Sequence, residues 1–249
     1  MSDSARYAVF LDFDGTLVEI APTPDAVRVD PGLVPALGKL RDRLGGALAI
    51  VTGRPVAVID DFLAPARFDV AGLHGAERRT GGETTGGADD PALRSEVDGL
   101  RHRLKPLGKV LIEDKGASVA VHWRLANPHD AQVAEATVKE AAAHLGQSYR
   151  LQLGKAVGEI VPASATKGHA IRTLSESPPY AGRRAIFLGD DRTDEIAFAI
   201  VNADGGISVR IGDEETVAAR RLGTPSEVRA LLAAWAEGAP IDPEALPPA

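Results

Sequence analysis

The sequence predicts an α/β fold, a doubly wound parallel sheet, with a smaller α+β unit inserted into it. Three observations carry this. Compact apolar runs stop abruptly at polar residues, as buried parallel strands do at their carboxyl ends. Helical patterns separate those runs, the alternation that builds a parallel sheet. The middle of the chain breaks this alternation and instead repeats a helix-strand-strand order twice.

The strand signals are Ala8-Val9-Phe10-Leu11, which stops at Asp12, and Leu48-Ala49-Ile50-Val51, which stops at Thr52-Gly53-Arg54. A third, Ala185-Ile186-Phe187-Leu188, stops at Gly189-Asp190-Asp191. Between them Leu33, Leu37, Leu40 and Leu44 recur at helical spacing, residues 196–201 open a second apolar helix, and Val228, Leu231, Leu232 and Trp235 mark a third. Sheets of this kind bind ligands beyond the carboxyl ends of their strands, where the polar clusters fall.

In the middle, the Gly/Thr-rich residues 81–87 read as a surface loop or hinge. A helix over 91–107, strands over 109–113 and 117–123, a helix over 130–145 and strands over 149–153 and 157–161 follow. The predicted division is a core of residues 1–87 and 164–249 around an inserted unit of residues 88–163. The Pro-rich end after Gly238 is expected to fray.

Composition narrows the function. A formal net charge of −7 argues against a nucleic-acid binder, which must neutralise a row of phosphates. It leaves room for a small phosphorylated molecule, which a few local cations can hold. With no cysteine, disulfides and thiolate metal sites are excluded. The start, Met1-Ser2-Asp3-Ser4-Ala5-Arg6-Tyr7, lacks the basic and apolar regions of a signal peptide, and no apolar stretch is long enough to span a bilayer. The expectation is a cytoplasmic protein, monomeric, with a small-molecule partner.

Asp12-Phe13-Asp14-Gly15-Thr16-Leu17 is the strongest chemical signal. Carboxylates at alternate positions of a strand end point into one volume while Phe13 turns away. The competing reading is an Asp-Gly turn in which Asp14 bonds its own backbone. Gly189-Asp190-Asp191-Arg192-Thr193-Asp194-Glu195 again follows a buried strand and precedes a helix. Helix capping accounts for Asp194 and Glu195 but poorly for Asp190, which lies at the strand end. Two acidic strand ends side by side require a hard cation, and oxygen ligands without His or Cys select magnesium. Thr52-Gly53-Arg54 offers a hydroxyl and backbone N–H groups to phosphate oxygens, or is simply a tight strand-to-helix turn. Lys167 opens a further helix, where most lysines are merely solvated. Together these groups make a phosphoryl-transfer set of nucleophile, acid/base, metal ligands and phosphate clamps.

In that order, Asp12-Phe13-Asp14-Gly15-Thr16, Thr52, Lys167 and Gly189-Asp190-Asp191, the chain resembles the haloacid dehalogenase superfamily phosphatases. The inserted unit resembles their α+β cap. A narrower resemblance, over nearly the whole chain, is to the trehalose-6-phosphate phosphatase family. Gly72-Leu73-His74-Gly75-Ala76-Glu77, Glu113-Asp114-Lys115, His122-Trp123-Arg124, Gly154-Lys155-Ala156-Val157-Gly158-Glu159-Ile160-Val161-Pro162 and Gly189-Asp190-Asp191-Arg192-Thr193-Asp194-Glu195 carry it. Trp123 stands where that family commonly has tyrosine.

The resemblance implies magnesium-dependent hydrolysis of trehalose 6-phosphate through an aspartyl-phosphate. It makes Asp12 the nucleophile and Asp14 the acid/base. Asp12, the Asp14 carbonyl and Asp190 become magnesium ligands. Asp191 and Asp194 orient metal waters and Lys167, while Thr52, Arg54 and Lys167 bind the phosphoryl oxygens. Glu113, Lys115, Arg124, Lys155 and Glu159 of the cap, with His74, become substrate-binding residues. Each cap residue taken alone reads as a solvated strand face. The rival readings are a phosphatase of the same fold for another sugar phosphate, and a catalytically silent domain that binds sugar phosphates. The presence of Asp12, Asp14 and Asp190 gives silence no support.

Overall fold

The structure is a computed structural model and describes residues 5–21, 26–86 and 90–249. The first four residues, Gly87 and the predicted junction at 87/88 lie outside the described residues. The chain divides into two compact units, Met1–Glu83 with Thr166–Ala249, and Thr84–Ala165.

The amino-terminal half of the larger unit runs β1 (Tyr7–Leu11), α1 (Leu33–Arg43), β2 (Leu48–Val51), α2 (Val56–Phe62), β3 (Asp69–Gly72), β4 (Glu77–Thr80) and β5 (Glu83–Gly86), the last crossing the boundary. The smaller unit contains α3 (Pro91–Leu104), β6 (Leu111–Asp114), β7 (Val119–His122), α4 (Pro128–His144), β8 (Tyr149–Gly154) and β9 (Val157–Pro162). The larger unit then resumes with α5 (Lys167–Ser175), β10 (Arg184–Gly189), α6 (Arg192–Ala203), β11 (Ile207–Ile211), β12 (Arg220–Leu222) and α7 (Pro225–Ala236).

The three predicted strands are neighbours in the middle of an eight-stranded sheet ordered β12-β11-β10-β1-β2-β3-β4-β5. Every residue of β1 is buried, as an apolar run between two parallel partners must be. Leu11 pairs with Leu188 of β10 and Ile50 of β2, so all three carboxyl ends stop at one level. Asp12, Asp190 and Thr52 are thereby set side by side. Behind them Phe10 stacks on Tyr180 at 5.4 Å and Phe187 meets Phe198 tilted at 5.4 Å, within one continuous core.

Two expectations are revised. Within residues 81–87, Glu83–Gly86 form an exposed strand. Gly81 and Gly82 both take positive φ, 59° and 90°, the requirement of a two-residue hairpin turn between β4 and β5. The end after Gly238 is docked: Ile241 is buried, Arg221 N–H donates to Pro247 O at 2.9 Å, and Glu244 pairs with Arg184 at 2.6 Å.

The smaller unit is a four-stranded antiparallel sheet, β6-β7-β9-β8, with helices on one face. Leu93, Val97 and Leu100 of α3 and Ala134 and Val138 of α4 pack against Val119, Val121 and Ile160. Both helices start at Asx caps, Asp90 accepting from Ala92 N–H and Asn127 from Asp130 N–H, each followed by Pro. Among the described residues no helix is long and apolar enough to cross a membrane.

Candidate active site

Asp12 continues β1 by one residue and is buried, with its N–H donating to Leu188 O of β10 at 2.9 Å. Asp190 sits at the matching end of β10. The two motifs meet because Gly15 has no side chain: its φ is +74°, and a Cβ there would lie 1.9 Å from Asp190 Oδ2. The D-x-D-G order is therefore a packing requirement as well as a turn.

Lys167 opens α5, behind a Thr166 cap that accepts from His169 N–H at 3.1 Å. Its Nζ lies 2.8 Å from Asp12 Oδ1 and 2.7 Å from Asp194 Oδ1, with all three side chains 5% exposed or less. Asp194 Oδ2 accepts from the Asp190 and Asp191 N–H groups at 3.0 and 2.9 Å. Asp194 thus ties the lysine to the loop that carries Asp190. Asp191 is exposed and caps α6, with Asp194 completing a capping box.

Burial holds the Asp12 carboxyl well above the usual carboxylate range, opposed by Lys167 and reinforced by Asp194 and Asp190. Burial, with the charge of Asp194, pushes Asp190 up to about 6. Burial alone would pull Lys167 down, but the charges of Asp12 and Asp194 outweigh it and hold it above its ordinary value. The cluster is short of positive charge. Carboxylate oxygens of Asp12, Asp190 and Asp194 come within 4.8 Å of one another, and buried Asp190 Oδ1 has no hydrogen-bond partner among the described residues. A hard divalent cation fits this all-oxygen donor set.

Thr52 follows β2 and is buried. Its hydroxyl accepts from Arg54 N–H at 3.2 Å and its carbonyl from His74 N–H at 2.9 Å. His74 is held left-handed, φ 56°, with its ring against Gly53, where a Cβ would lie 2.8 Å from Nε2. Arg54 forks onto Asp14, Nε to Oδ2 at 2.6 Å and Nη2 to Oδ1 at 2.7 Å. Its guanidinium also lies over the rings of Phe62 and Phe13, at 5.1 and 5.8 Å. Arg54, a candidate for the phosphoryl oxygens, is paired with Asp14 in this structure. Glu77, at the end of the Gly72–Glu77 motif, accepts from Val56 N–H at 2.8 Å at the start of α2.

In the smaller unit, Lys115 Nζ donates to Glu159 Oε1 at 3.0 Å, and Ser118 Oγ donates to the same oxygen at 3.1 Å. Glu113 lies 3.0 Å from His122 Nε2. Arg124 and Lys155 are exposed, and Arg124 Nη2 donates to Lys155 O at 3.4 Å. These contacts gather the predicted residues into a Lys115–Glu159 pair, a Glu113–His122 pair and an Arg124–Lys155 edge.

A family model described as Trehalose-phosphatase matches residues 10–224. The chain belongs to the trehalose-phosphatase family. It is 46% identical over 215 residues to a probable trehalose-phosphate phosphatase of Sinorhizobium fredii, covering 85% of this chain and 80% of that one. It is 40% identical over 221 residues to the trehalose-6-phosphate phosphatase of Escherichia coli, covering 88% and 82%. It is also similar to the crystal structure of a trehalose-6-phosphate phosphatase related protein, with TM-score 0.74 and 28% identity over 90% of this chain and 95% of that one. The match begins at Phe10 and so takes in every trehalose-phosphatase motif position named above, from Asp12 to Asp194. Of the predicted residues in the larger unit, buried Asp12, Lys167 and Asp194 form one cluster with half-buried Asp190. Asp14 with Arg54, and Thr52 with His74, form two further pairs, and Asp191 turns to the α6 cap.

Proposed function

We propose that this trehalose-phosphatase family member hydrolyses trehalose 6-phosphate to trehalose and inorganic phosphate through an aspartyl-phosphate on Asp12. The observation that carries this is the buried Asp12 carboxylate held 2.8 Å from Lys167 beside an under-compensated Asp190. Lys167 fixes one Asp12 oxygen, and its charge opposes burial and favours the ionised carboxylate that attack requires. Attack on phosphorus forms the Asp12–phosphorus bond and breaks the bond to the sugar oxygen, which takes a proton from Asp14. Water then attacks the aspartyl-phosphate, gives its proton to Asp14, and releases phosphate with Asp12 restored. Lys167 and the Thr52 hydroxyl balance charge on the phosphoryl oxygens, where stabilisation counts most in the transition state.

Asp12, Asp190 and the Asp14 carbonyl would hold magnesium, with Asp194 orienting the loop rather than spending its committed oxygens on the ion. When bound, magnesium supplies positive charge to the phosphoryl oxygens and to the crowded carboxylates. Sugar recognition falls to the smaller unit, through Glu113, Lys115, Arg124, Lys155 and Glu159. The test is acid-quench trapping with trehalose 6-phosphate radiolabelled on phosphorus. Wild-type protein should carry acyl-phosphate label that Asp12→Asn lacks, and excess chelator should abolish labelling. Equal labelling of Asp12→Asn would remove the nucleophile assignment.

A further inference from the structure

The sheet of the smaller unit has two unlike faces. Ile112, Val119, Val121, Leu151 and Ile160 point into the core beneath the helices. Residues alternating with them share the other face, because the pleat sends successive side chains to opposite sides. The register sets four of these in one row: Glu113 opposite Ala120, Ala120 opposite Glu159, and Glu159 opposite Gln152. Three strand steps of roughly 4.8 Å make this row about 14 Å long. Glu113 and Glu159 are sugar-binding candidates by family resemblance; Gln152 and Arg150 on β8 carry no such motif.

Arg150 shares this face, two residues before Gln152. One of its terminal nitrogens donates to Ala165 O at 2.7 Å, while its buried Nε has no hydrogen-bond partner among the described residues. As placed, the Gln152 amide turns its nitrogen to the guanidinium, donor against donor. Exchanging amide oxygen and nitrogen satisfies both groups, puts the oxygen 2.5 and 2.6 Å from the terminal nitrogens, and is the orientation assigned. An amide pinned by its oxygen presents its two N–H donors away from the pin. Those donors then stand next to Glu159, whose Oε1 accepts from Lys115 and Ser118. The row thus sets carboxylate acceptors at Glu113 and Glu159 beside the amide donors of Gln152, and a polyol needs both kinds of partner, since each hydroxyl both gives and takes a hydrogen bond.

We propose that Gln152 is a specificity-determining residue that donates from its amide to a sugar hydroxyl of the substrate, and that Arg150 is a positioning residue that fixes the direction of that amide. This rests on the sugar phosphatase reading above. The test compares kcat/KM for trehalose 6-phosphate with that for p-nitrophenyl phosphate, which has no sugar to read. Gln152→Glu keeps the size and the Arg150 contact but replaces the donors with an acceptor. It should lose about tenfold on trehalose 6-phosphate relative to the aryl phosphate, through KM, the scale of one ligand hydrogen bond. Gln152→Ala and Arg150→Met should each show a similar relative loss. The double variant should be no worse than Gln152→Ala, because the two act through one group. An unchanged substrate ratio in Gln152→Glu, or fully additive losses, would overturn the assignment. If wild-type protein turns over the aryl phosphate but not trehalose 6-phosphate, the sugar reading fails, and this inference fails with it.

Discussion

Arg54 and Asp14 lie 40 residues apart in sequence, yet the guanidinium makes a two-point contact with the carboxylate and rests on two aromatic rings. A planar fork held that way fixes the direction of the carboxylate as well as its charge. Arg54→Ala should therefore damage the proton transfer to the leaving sugar. We expect kcat on trehalose 6-phosphate to fall by about 10²-fold, the low end of a general-acid contribution. The burst of phenolate release from p-nitrophenyl phosphate, whose leaving group needs no proton, should fall far less. Equal losses with a raised KM would instead place Arg54 on the phosphate. Lys167 makes the sharper stability statement. Lys167→Met leaves Asp12 and Asp194 buried without their shared cation, a cost of about 3–5 kcal/mol for breaking a buried pair. Urea unfolding in chelator should show that loss, and magnesium should shrink it. Undiminished stability in chelator would mean that water or protonation already balances the carboxylates.

The elements that carry the motifs were legible because each is a short apolar run ending in polar residues, and the register of β10, β1 and β2 does the rest. β11 was not, for a physical reason. It is buried throughout but contains Ser208 and Arg210, partnered by Asn202 and by Glu195 and Glu214. Such polar residues break the apolar signal that marks a parallel strand. The hairpin at Gly81-Gly82 was hidden similarly, because glycines that form a tight turn look like any flexible loop. The carboxyl-terminal segment was not legible because prolines suggest fraying, whereas Ile241 and Pro243 are buried, Arg184 donates to the Glu244 carboxylate and the Arg221 N–H donates to Pro247 O. Removing residues 240–249 should cost roughly 2–3 kcal/mol, the worth of one fully buried large aliphatic side chain. Thermal unfolding would show it as a drop of about 4–12 °C for a chain of this size. An unchanged midpoint would mean that the docked segment contributes no net stability.

At the scale of the whole molecule, the chain separates its chemistry. The larger unit holds the cluster of Asp12, Lys167, Asp194 and half-buried Asp190, suited to any phosphoryl group. The smaller unit holds a polar sheet face with Glu113, Lys115 and Glu159, which contribute nothing obvious to phosphoryl transfer. This division was visible in the sequence as a break in strand-helix alternation. What the sequence could not display was pairing across distance, such as Arg54 with Asp14 or Arg150 with Gln152, because nothing local encodes which side chains meet. If the smaller unit chooses the substrate, a phosphate group without the right sugar will be turned over far less efficiently. The most direct measurement is kcat/KM, with magnesium, for trehalose 6-phosphate, sucrose 6-phosphate, glucose 6-phosphate and p-nitrophenyl phosphate. A preference for trehalose 6-phosphate of about 10²-fold or more, the worth of two or so well-placed hydrogen bonds, is the result expected. An equal or higher value for any other member of the panel would contradict the assignment of the substrate.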